Sequence, residues 1–333
     1  MAEALQRLRR PAPVAGRRTA TITALAAVPG ELRVANATTA EAMGVTEAWI
    51  MKRTGVLERR VAPADLPLWA LAADAGRRAL ERAGVAAADV DRIIVATCTH
   101  DQVMPAAAAL VAAELGAPHA AAMDVNSVCN GFIVALEMGS AAIEAQRADR
   151  VLVIGADVLS RWTDPADPRT APVFGDGAGA VLLSPAGVDG DGAIGAAVVG
   201  GDASGAHLIR CARDGTMQMA GQETYLKAVT RMTQVTEDVL DRAGLGTADI
   251  DLFVYHQANA RILRAVGERL ALDPDRVVNS ITRTGNTSAA SIPLALAHAA
   301  EDGRLVSGTR VLVCGFGSGL SFGAMIIDWQ AAS

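Results

Sequence analysis

The chain has 333 residues, of which 51% are hydrophobic and 20% charged, and its formal net charge is −6. This composition predicts one large domain or two fused halves with a sizeable core, and it excludes a mainly disordered chain. The negative charge argues against a nucleic-acid-binding protein as a whole. No membrane span is predicted, because even the Ala-rich segment 105–123 is interrupted by Glu114, Gly116, Pro118 and His119.

The cysteines and the N-terminus bear on location and on metal binding. Cys98, Cys129, Cys211 and Cys314 show neither CxxC pairing nor metal-ligand spacing, and the chain starts without the apolar core of a secretory signal. A reduced, cytoplasmic protein without a metal site is therefore expected. The basic residues 1–18 are expected to form a flexible arm.

An internal duplication organises the rest of the chain. The segment 79–97 aligns without a gap with 239–257, and 150–158 aligns with 310–318, both at an offset of 160 residues. Each block reads as a helix, a turn and a short apolar strand of the kind that is buried on both faces. Alternating strands and helices of this kind predict two α/β halves.

The duplication also predicts the arrangement of these halves. We expect an N-terminal half over residues 1–185 and a C-terminal half over residues 186–333, related by a pseudo-twofold axis. Their helices and sheets would stack in α-β-α-β-α layers, and the active site would lie where the halves meet.

Cys129 is the first candidate catalytic residue along the chain. It lies in NSVCNG, directly before an apolar segment with helical spacing at residues 131–146. A helix N-terminus would lower the pKa of the thiol and favour a thiolate nucleophile. Burial as a small apolar residue is the alternative. In the duplication Cys129 corresponds to Ala289, which favours a function over mere packing.

Two polar residues in the second half are the next candidates. His256 follows the apolar strand sequence LFVY, at the kind of strand end where α/β sites collect, and it corresponds to Ala96 in the first half. Asn286 lies in the polar loop TGNTS before the helical segment 288–302. A satisfied core histidine and an ordinary helix cap are the alternatives.

A glycine-dense loop follows a predicted strand and precedes more apolar sequence, within VLVCGFGSGLSFGA at residues 311–324. Glycine lets backbone amides approach a ligand closely, so this loop is expected to complete an oxyanion hole with the Cys129 amide. The glycines do not open a helix within a dinucleotide-binding unit, so NAD binding is not expected.

Together these elements predict acyl transfer through a cysteine. Cys129 would take an acyl group from a thioester while backbone amides hold the oxyanion. His256 and Asn286 would then donate hydrogen bonds to a second thioester carbonyl and stabilise the enolate that forms when a malonyl thioester loses CO2. Hydrolysis would more naturally pair the histidine with a carboxylate, so the asparagine favours condensation.

The chain resembles the beta-ketoacyl-[acyl carrier protein] synthase III family of the thiolase superfamily from about residue 32 onward. The matching motifs are EAWIMKRTGVLERR (47–60), VCNGF (128–132), FGDGAGAVLL (174–183), YHQANARIL (255–263), GNTSAASIPLAL (285–296) and GFGSGLSFGA (315–324). The resemblance implies a thiolase-like fold and a triad of Cys129, His256 and Asn286. It also implies that the amides of Cys129 and Gly319 form the oxyanion hole.

The resemblance further implies the substrates and where coenzyme A binds. Acyl-CoA and malonyl-acyl carrier protein (malonyl-ACP) would be substrates, and no separate cofactor would be needed. Trp49, Arg53 and Thr54 match positions near the adenine and phosphates, and Gly221 and Tyr225 match positions along the pantetheine channel.

Contacts with proteins are implied at two places. Arg261 matches a basic residue at the tunnel mouth that also faces the acyl carrier protein, and Arg264 lies on the same helix face. A solvated helix face is the alternative. Met104 matches the position that closes the acyl pocket from the other subunit of a homodimer, where many relatives carry a bulkier aromatic residue.

Some residues depart from the family pattern. Pro168 stands where an arginine that stacks on adenine is common, with Arg169 beside it, and Gln222 replaces the usual asparagine of the channel. Val128 and Asn130 give Cys129 an uncommon context. These differences leave the triad intact and leave the natural starter acyl group open.

The leading prediction is decarboxylative condensation of an acyl-CoA starter with malonyl-ACP, in fatty acid initiation or in polyketide starter selection. The alternative is transfer of an acyl group from CoA or carrier protein to an alcohol or a carrier protein without carbon–carbon bond formation. A non-catalytic partner subunit is disfavoured by the presence of all three triad residues.

Overall fold

A computed structural model describes residues 18–186 and 192–330. Residues 1–17 of the expected N-terminal arm lie outside this part of the chain. Arg18 is described, and its guanidinium group contacts the carboxylate of Asp149. Within the described ranges, no helix combines the length and apolarity that crossing a membrane requires.

The helices and strands alternate along the chain, as the sequence predicts. The first half contains β1 (Ala20–Pro29), β2 (Leu32–Ala35), α1 (Asn36–Met43), α2 (Glu47–Thr54), β3 (Glu58–Val61), α3 (Leu68–Ala83), β4 (Arg92–Ala96), α4 (Ala107–Leu115), β5 (Ala121–Val125), α5 (Gly131–Glu144), β6 (Val151–Val158) and β7 (Asp176–Pro185). The second half contains β8 (Ile194–Gly201), β9 (Ile209–Arg210), β10 (Gln218–Met219), α6 (Gly221–Ala243), β11 (Leu252–Tyr255), α7 (Ala260–Arg269), α8 (Ile281–Thr284), α9 (Ser291–Glu301), β12 (Arg310–Gly317) and β13 (Ser321–Asp328).

The two main sheets share one topology. The first has the order β1-β7-β6-β4-β5, and the second has the order β8-β13-β12-β11. In the first sheet β5, β4 and β6 are parallel, while β7 and β1 add antiparallel pairs. The second sheet repeats this pattern, and a parallel bridge from Phe253 to Val277 takes the place of the β4–β5 pair. The predicted duplication of α/β halves is confirmed.

The helices lie in three layers that alternate with the two sheets. Helices α3 and α4 cover the outer face of the first sheet, and α6 and α7 cover the outer face of the second. Helices α5 and α9 lie between the sheets, where one continuous apolar core joins both halves. This is the predicted α-β-α-β-α order. The predicted boundary at residues 185 and 186 stays a prediction, since residues 187–191 between β7 and β8 are not described.

The amino-acid patterns explain which helices lie in the middle. Helix α5, with the sequence GFIVALEMGSAAIE, carries only two charged residues and buries Phe132, Ile133 and Leu136. Helix α3 instead alternates a buried apolar face with an exposed arginine-rich face, as expected for an outer helix. The central helices therefore begin deep in the molecule, so residues at their N-termini lie near the junction of the halves.

Candidate active site

A cavity of about 1420 Å³ is lined by residues of both halves. The side chains of Cys129, His256 and Asn286 all line it. Cys129 lies in a 3-10 turn before α5, His256 directly follows β11, and Asn286 directly follows α8 and Gly285. The structure thus brings together three residues that span 158 positions of the sequence around one space.

The turn that carries Cys129 has a strained backbone. Val128, a β-branched residue, has φ 48°, in the left-handed region that such residues rarely adopt. The end of β12 packs closely behind this turn, since a Cβ at Gly317 would lie 2.9 Å from the backbone nitrogen of Cys129. Only glycine fits at position 317, and its approach ties the nucleophile turn to the second half.

The thiol of Cys129 is protonated at neutral pH in the substrate-free protein. Burial raises its pKa to about 12, with Asp157 adding to the rise, while Ser288 and the backbone amide of Cys129 oppose it. The expectation of a lowered pKa at a helix N-terminus is wrong for this state. Desolvation of the thiol raises its pKa by more than the hydrogen bonds lower it, although Cys129 is only half-buried by its exposed area.

His256 is buried and neutral. Its backbone N–H donates to the carbonyl of Cys314 at 2.7 Å, and its Nδ1 lies 2.6 Å from the hydroxyl oxygen of Ser291. Burial lowers the pKa of His256 to about 3, so the ring carries no charge at neutral pH.

Asn286 is held by hydrogen bonds on three sides. Its backbone N–H donates to the carbonyl of Val173 at 2.8 Å, and its own carbonyl accepts from Gly175 at 3.0 Å. Its side-chain oxygen accepts from the Ser288 amide at 2.9 Å. The carboxamide nitrogen is the side-chain group left to donate into the cavity.

The glycine loop contributes its first residues to the cavity. Gly317 and Ser318 line it, whereas Gly319, the predicted oxyanion-hole residue, is not among its lining residues. Cys129 itself lines the cavity, and the part of its amide in an oxyanion hole stays a prediction. The loop residue on the cavity wall that lies next to the predicted Gly319 is Ser318.

A buried carboxylate that the sequence reasoning missed lies beneath the site. Asp157, near the end of β6, is fully buried, and burial raises its pKa. It accepts hydrogen bonds from the Thr97 and Thr99 hydroxyls at 3.0 and 2.8 Å, from the Cys98 amide at 2.9 Å, and from the Ala289 amide at 3.1 Å. Asp157 thereby joins the wall of the first half to the turn before α9. An acidic residue inside the apolar run VLVIGADV was the available signal.

An apolar wall lines the cavity beside the nucleophile. Its members are buried or half-buried and come from separate segments of the chain: Cys98, Leu159, Val173, Phe174, Ile209 and Met217. Sequence reasoning did not find this wall, because no local pattern links segments that meet only in the folded chain.

The predicted coenzyme A residues lie together on the cavity wall. The Arg53 guanidinium lies 4.4 Å from the Trp49 ring centroid, and the Arg261 guanidinium lies 5.3 Å from that of Tyr225. The side chain of Asn259 donates to the Arg53 carbonyl at 3.1 Å and so holds α2 against the start of α7. Two cations, one from each half, therefore line the same cavity.

Of the other residues predicted to bind CoA, the carrier protein or a second subunit, some line the cavity and some do not. Gly221 and Thr54 line the cavity, but the Thr54 hydroxyl donates to the Ile50 carbonyl at 2.8 Å and has a structural role. Arg264 and Met104 are not among the lining residues, and Met104 is 77% exposed. Its place in a neighbouring subunit's pocket stays a prediction. Among the described residues, no group of three His, Cys, Asp or Glu side chains could hold a metal ion.

Comparison with known proteins agrees with this architecture. Two family models match, "3-Oxoacyl-[acyl-carrier-protein (ACP)] synthase III" at residues 123–203 and its C-terminal counterpart at residues 240–329. Beta-ketoacyl-[acyl-carrier-protein] synthase III 2 of Streptomyces coelicolor is 44% identical over 318 residues, covering 95% of this chain and 96% of the relative. The chain belongs to the synthase III family.

Solved structures of the family superpose closely. The 3-oxoacyl-(acyl carrier protein) synthase III of Pseudomonas aeruginosa PAO1 has a TM-score of 0.90 and 39% identity, covering 94% of this chain and 99% of that one. The priming beta-ketosynthase of the R1128 polyketide biosynthetic pathway has a TM-score of 0.90 and 33% identity, covering 97% and 98%. The thiolase-like fold is thus confirmed.

Several positions that depart from the synthase III pattern lie at or beside the site. Pro168, Arg169 and Gln222 line the cavity. Arg169 is anchored through its Nε to a carboxylate oxygen of Asp167 at 2.9 Å. Asn130 is fully buried and donates to the Ser321 hydroxyl at 2.8 Å. The uncommon nucleophile context therefore adds a direct link between Cys129's turn and β13.

Proposed function

We propose that this synthase III family member condenses an acyl-CoA starter with malonyl-ACP, with loss of CO2. The observation that carries the proposal is the placement of two uncharged hydrogen-bond donors, His256 and Asn286, on the same cavity as a cysteine thiol. A hydrolase would need a water-activating base, and a histidine whose pKa lies near 3 is a weak one.

The first half-reaction loads the enzyme. The sulfur of Cys129 attacks the thioester carbonyl of acyl-CoA, and the resulting oxyanion accepts hydrogen bonds from the amides of Cys129 and Ser318. Coenzyme A leaves as the thiol, taking up the proton that Cys129 gives away. Since this thiol is protonated at rest, that proton transfer is part of the step. We assign the second oxyanion donor to Ser318 because Gly319 lies off the cavity wall.

The second half-reaction makes the carbon–carbon bond. The thioester carbonyl of malonyl-ACP accepts hydrogen bonds from a ring N–H of His256 and from the Asn286 amide. These donors stabilise the enolate left when the carboxylate departs as CO2. The enolate carbon attacks the acyl-Cys129 carbonyl, and Cys129 leaves as a thiolate that takes up a proton. The product is a beta-ketoacyl-ACP.

The remaining parts of the proposal concern the substrate arms and the assembly. Arg53 and Arg261 would bind the phosphates of CoA, and Arg261 and Arg264 would receive the acyl carrier protein on the outer helix α7. The exposed Met104 would enter the acyl pocket of a second subunit in a cytoplasmic homodimer. The apolar wall beside Cys129 would hold the starter acyl chain, in fatty acid initiation or polyketide priming.

One experiment tests the proposal directly. The protein is incubated with a panel of acyl-CoA thioesters, and acylation of Cys129 is read by intact mass, first alone and then with carboxyl-labelled malonyl-ACP. We expect labelled CO2 and beta-ketoacyl-ACP in equal amounts, with loss of the acyl-enzyme. Acyl transfer to the carrier protein without CO2 release would contradict condensation and support the alternative acyltransferase.

A further inference from the structure

A serine lies directly behind the imidazole of His256. Ser291 is the first residue of α9 and is 1% exposed. Its hydroxyl oxygen lies 2.6 Å from His256 Nδ1, and it also accepts a hydrogen bond from the backbone N–H of Gln257 at 3.4 Å. The ring nitrogen Nδ1 therefore faces this hydroxyl, and Nε2 is the ring nitrogen available to the cavity.

The hydroxyl can donate its single hydrogen in only one of these contacts. The N–H of Gln257 is a donor and cannot accept, so the hydrogen of Ser291 is free to point to His256. Within the described part of the chain, Nδ1 of His256 is the hydrogen-bonded partner of Ser291 that can accept. A ring nitrogen that accepts is unprotonated, and the neutral ring must then carry its hydrogen on Nε2.

Hydrogen bonds of the neighbouring Gln257 hold the backbone beside His256 in place. The buried Gln257 side chain donates to the Tyr255 and Val278 carbonyls at 2.7 and 3.1 Å. Its oxygen accepts from the amides of Ser280 and Ile281 at 2.9 and 3.1 Å. Four hydrogen bonds thus fix the residue that follows His256, and the ring stays against Ser291.

We propose that Ser291 is a positioning residue that holds His256 in the Nε2–H tautomer, so that the ring donates a hydrogen bond to the malonyl thioester. This role rests on the proposed condensation, which needs a donor at that point. The first half of the chain shows no counterpart, since the positions that correspond to Ser291 and His256 at the 160-residue offset are Gly131 and Ala96.

The tautomer can be measured in the substrate-free protein. In protein labelled with ¹⁵N-histidine, long-range ¹H–¹⁵N spectra distinguish protonated from bare ring nitrogens, and His256→Gln identifies the His256 signals among five histidines. We expect bare Nδ1 and protonated Nε2 in the wild type, and a mixed or reversed pattern in Ser291→Ala. A proton on Nδ1 in the wild type, or an unchanged pattern in Ser291→Ala, would overturn the proposal.

The half-reactions provide the second readout. Ser291→Ala should lower kcat for CO2 release by at least about tenfold, since a wrong tautomer cannot donate, while acylation of Cys129 stays within about threefold. Ser291→Thr keeps the hydroxyl and should restore the rate. Ser140→Ala, a matched change of a buried serine in α5 whose hydroxyl donates to the Glu137 carbonyl at 3.2 Å, should change neither half-reaction.

These two readouts separate the role of Ser291 from the proposed function. An equal loss in both half-reactions of Ser291→Ala would indicate a general structural role and would contradict positioning of His256. A wild-type protein that releases no CO2 at all would contradict the condensation, while the spectra would still decide the tautomer.

Discussion

The turns before the two central helices share one backbone conformation but carry different side chains. In each, an asparagine side chain accepts from the amide two residues on, Asn126 from Val128 at 3.3 Å and Asn286 from Ser288 at 2.9 Å. Val128 and Ser288 both have left-handed backbones, with φ 48° and 50°. Each turn then forms a 3-10 segment, and the central helix begins 160 residues apart in the two copies.

The two turns differ in the residues that they place at the cavity. The first turn carries Cys129, whereas the second carries Ala289 at the corresponding position. Asn126 is exposed, whereas Asn286 is 5% exposed. An amide donor is worth more in a dry site than in water, because competing water is absent and the local dielectric constant is low. In the proposed reaction the first half therefore supplies the nucleophile, and the second supplies the buried donors.

The largest expected effect on acyl-enzyme formation comes from exchanging the residues at positions 129 and 289 of the two turns. Cys129→Ala should lower acyl-enzyme formation by more than about a thousandfold, because the attacking sulfur is gone. The double variant Cys129→Ala/Ala289→Cys should not recover it, since Ala289 is 1% exposed and is absent from the cavity wall. Intact mass after incubation with acyl-CoA measures both. Acylation at residue 289 would show that the turns are interchangeable.

The two asparagines provide the next comparison. Asn286→Ala should lower the rate of CO2 release by about 100- to 1000-fold, because one buried donor to the enolate is lost. Asn126→Ala removes the same side chain from the exposed copy and should cost less than about tenfold. Rates of CO2 release from malonyl-ACP, at saturating acyl-CoA, measure both variants. Equal losses would mean that the carboxamides act only by shaping their turns.

The sequence predicted those features of the fold and site that leave a local or repeated pattern. A constant offset of 160 residues revealed both halves, and the paired positions Cys129/Ala289 and His256/Ala96 followed from it. His256 directly follows an apolar strand sequence, Asn286 follows a glycine, and Cys129 lies just before an apolar helical segment, so all three occupy positions where sites are expected in a sequence.

Features that depend on packing across the halves could not be predicted in this way. The pKa of Cys129 rises rather than falls, because desolvation in the folded chain, with Asp157 adding to the rise, outweighs the hydrogen bonds that lower it. The placement of Ser318 rather than Gly319 on the cavity wall depends on which way the loop turns after β12. Asp157 and Ser291 have hydrogen-bond partners far away in the sequence, and their neighbours in the chain give no hint of those partners.

Arg53 and Arg261, one arginine from each half, line the cavity. Reversing the charge of Arg261 should have a smaller effect on the kinetics than the changes above. Arg261→Glu should raise the KM for acyl-CoA and for malonyl-ACP by about tenfold, since a charge-assisted contact with phosphate is lost. Arg264 is not on the cavity wall, so Arg264→Glu should raise only the KM for malonyl-ACP. Steady-state kinetics with each substrate varied measure both. An unchanged KM for acyl-CoA in Arg261→Glu would place the CoA phosphates elsewhere.

The last comparison is between His256 and Ala96, the corresponding residues after β11 and at the end of β4. Burial lowers the pKa of His256 to about 3 in the folded chain, from about 6.5 when unfolded. Between these values the unfolded state binds the proton and the folded state does not, so stability falls as the pH is lowered. The slope from this one group is about 1.4 kcal/mol per pH unit below pH 6.5.

Replacing His256 by alanine makes the second half resemble the first and should remove that slope. We expect the free energy of unfolding of the wild type to fall by about 2 kcal/mol more than that of His256→Ala between pH 6.5 and 5. Urea unfolding followed by tryptophan fluorescence at several pH values measures the difference. His119→Ala, which removes an exposed imidazole, serves as the control and should keep the wild-type slope. Parallel slopes for the wild type and His256→Ala would mean that water reaches the ring in the folded protein, and the imidazole could then no longer be treated as a permanently neutral donor.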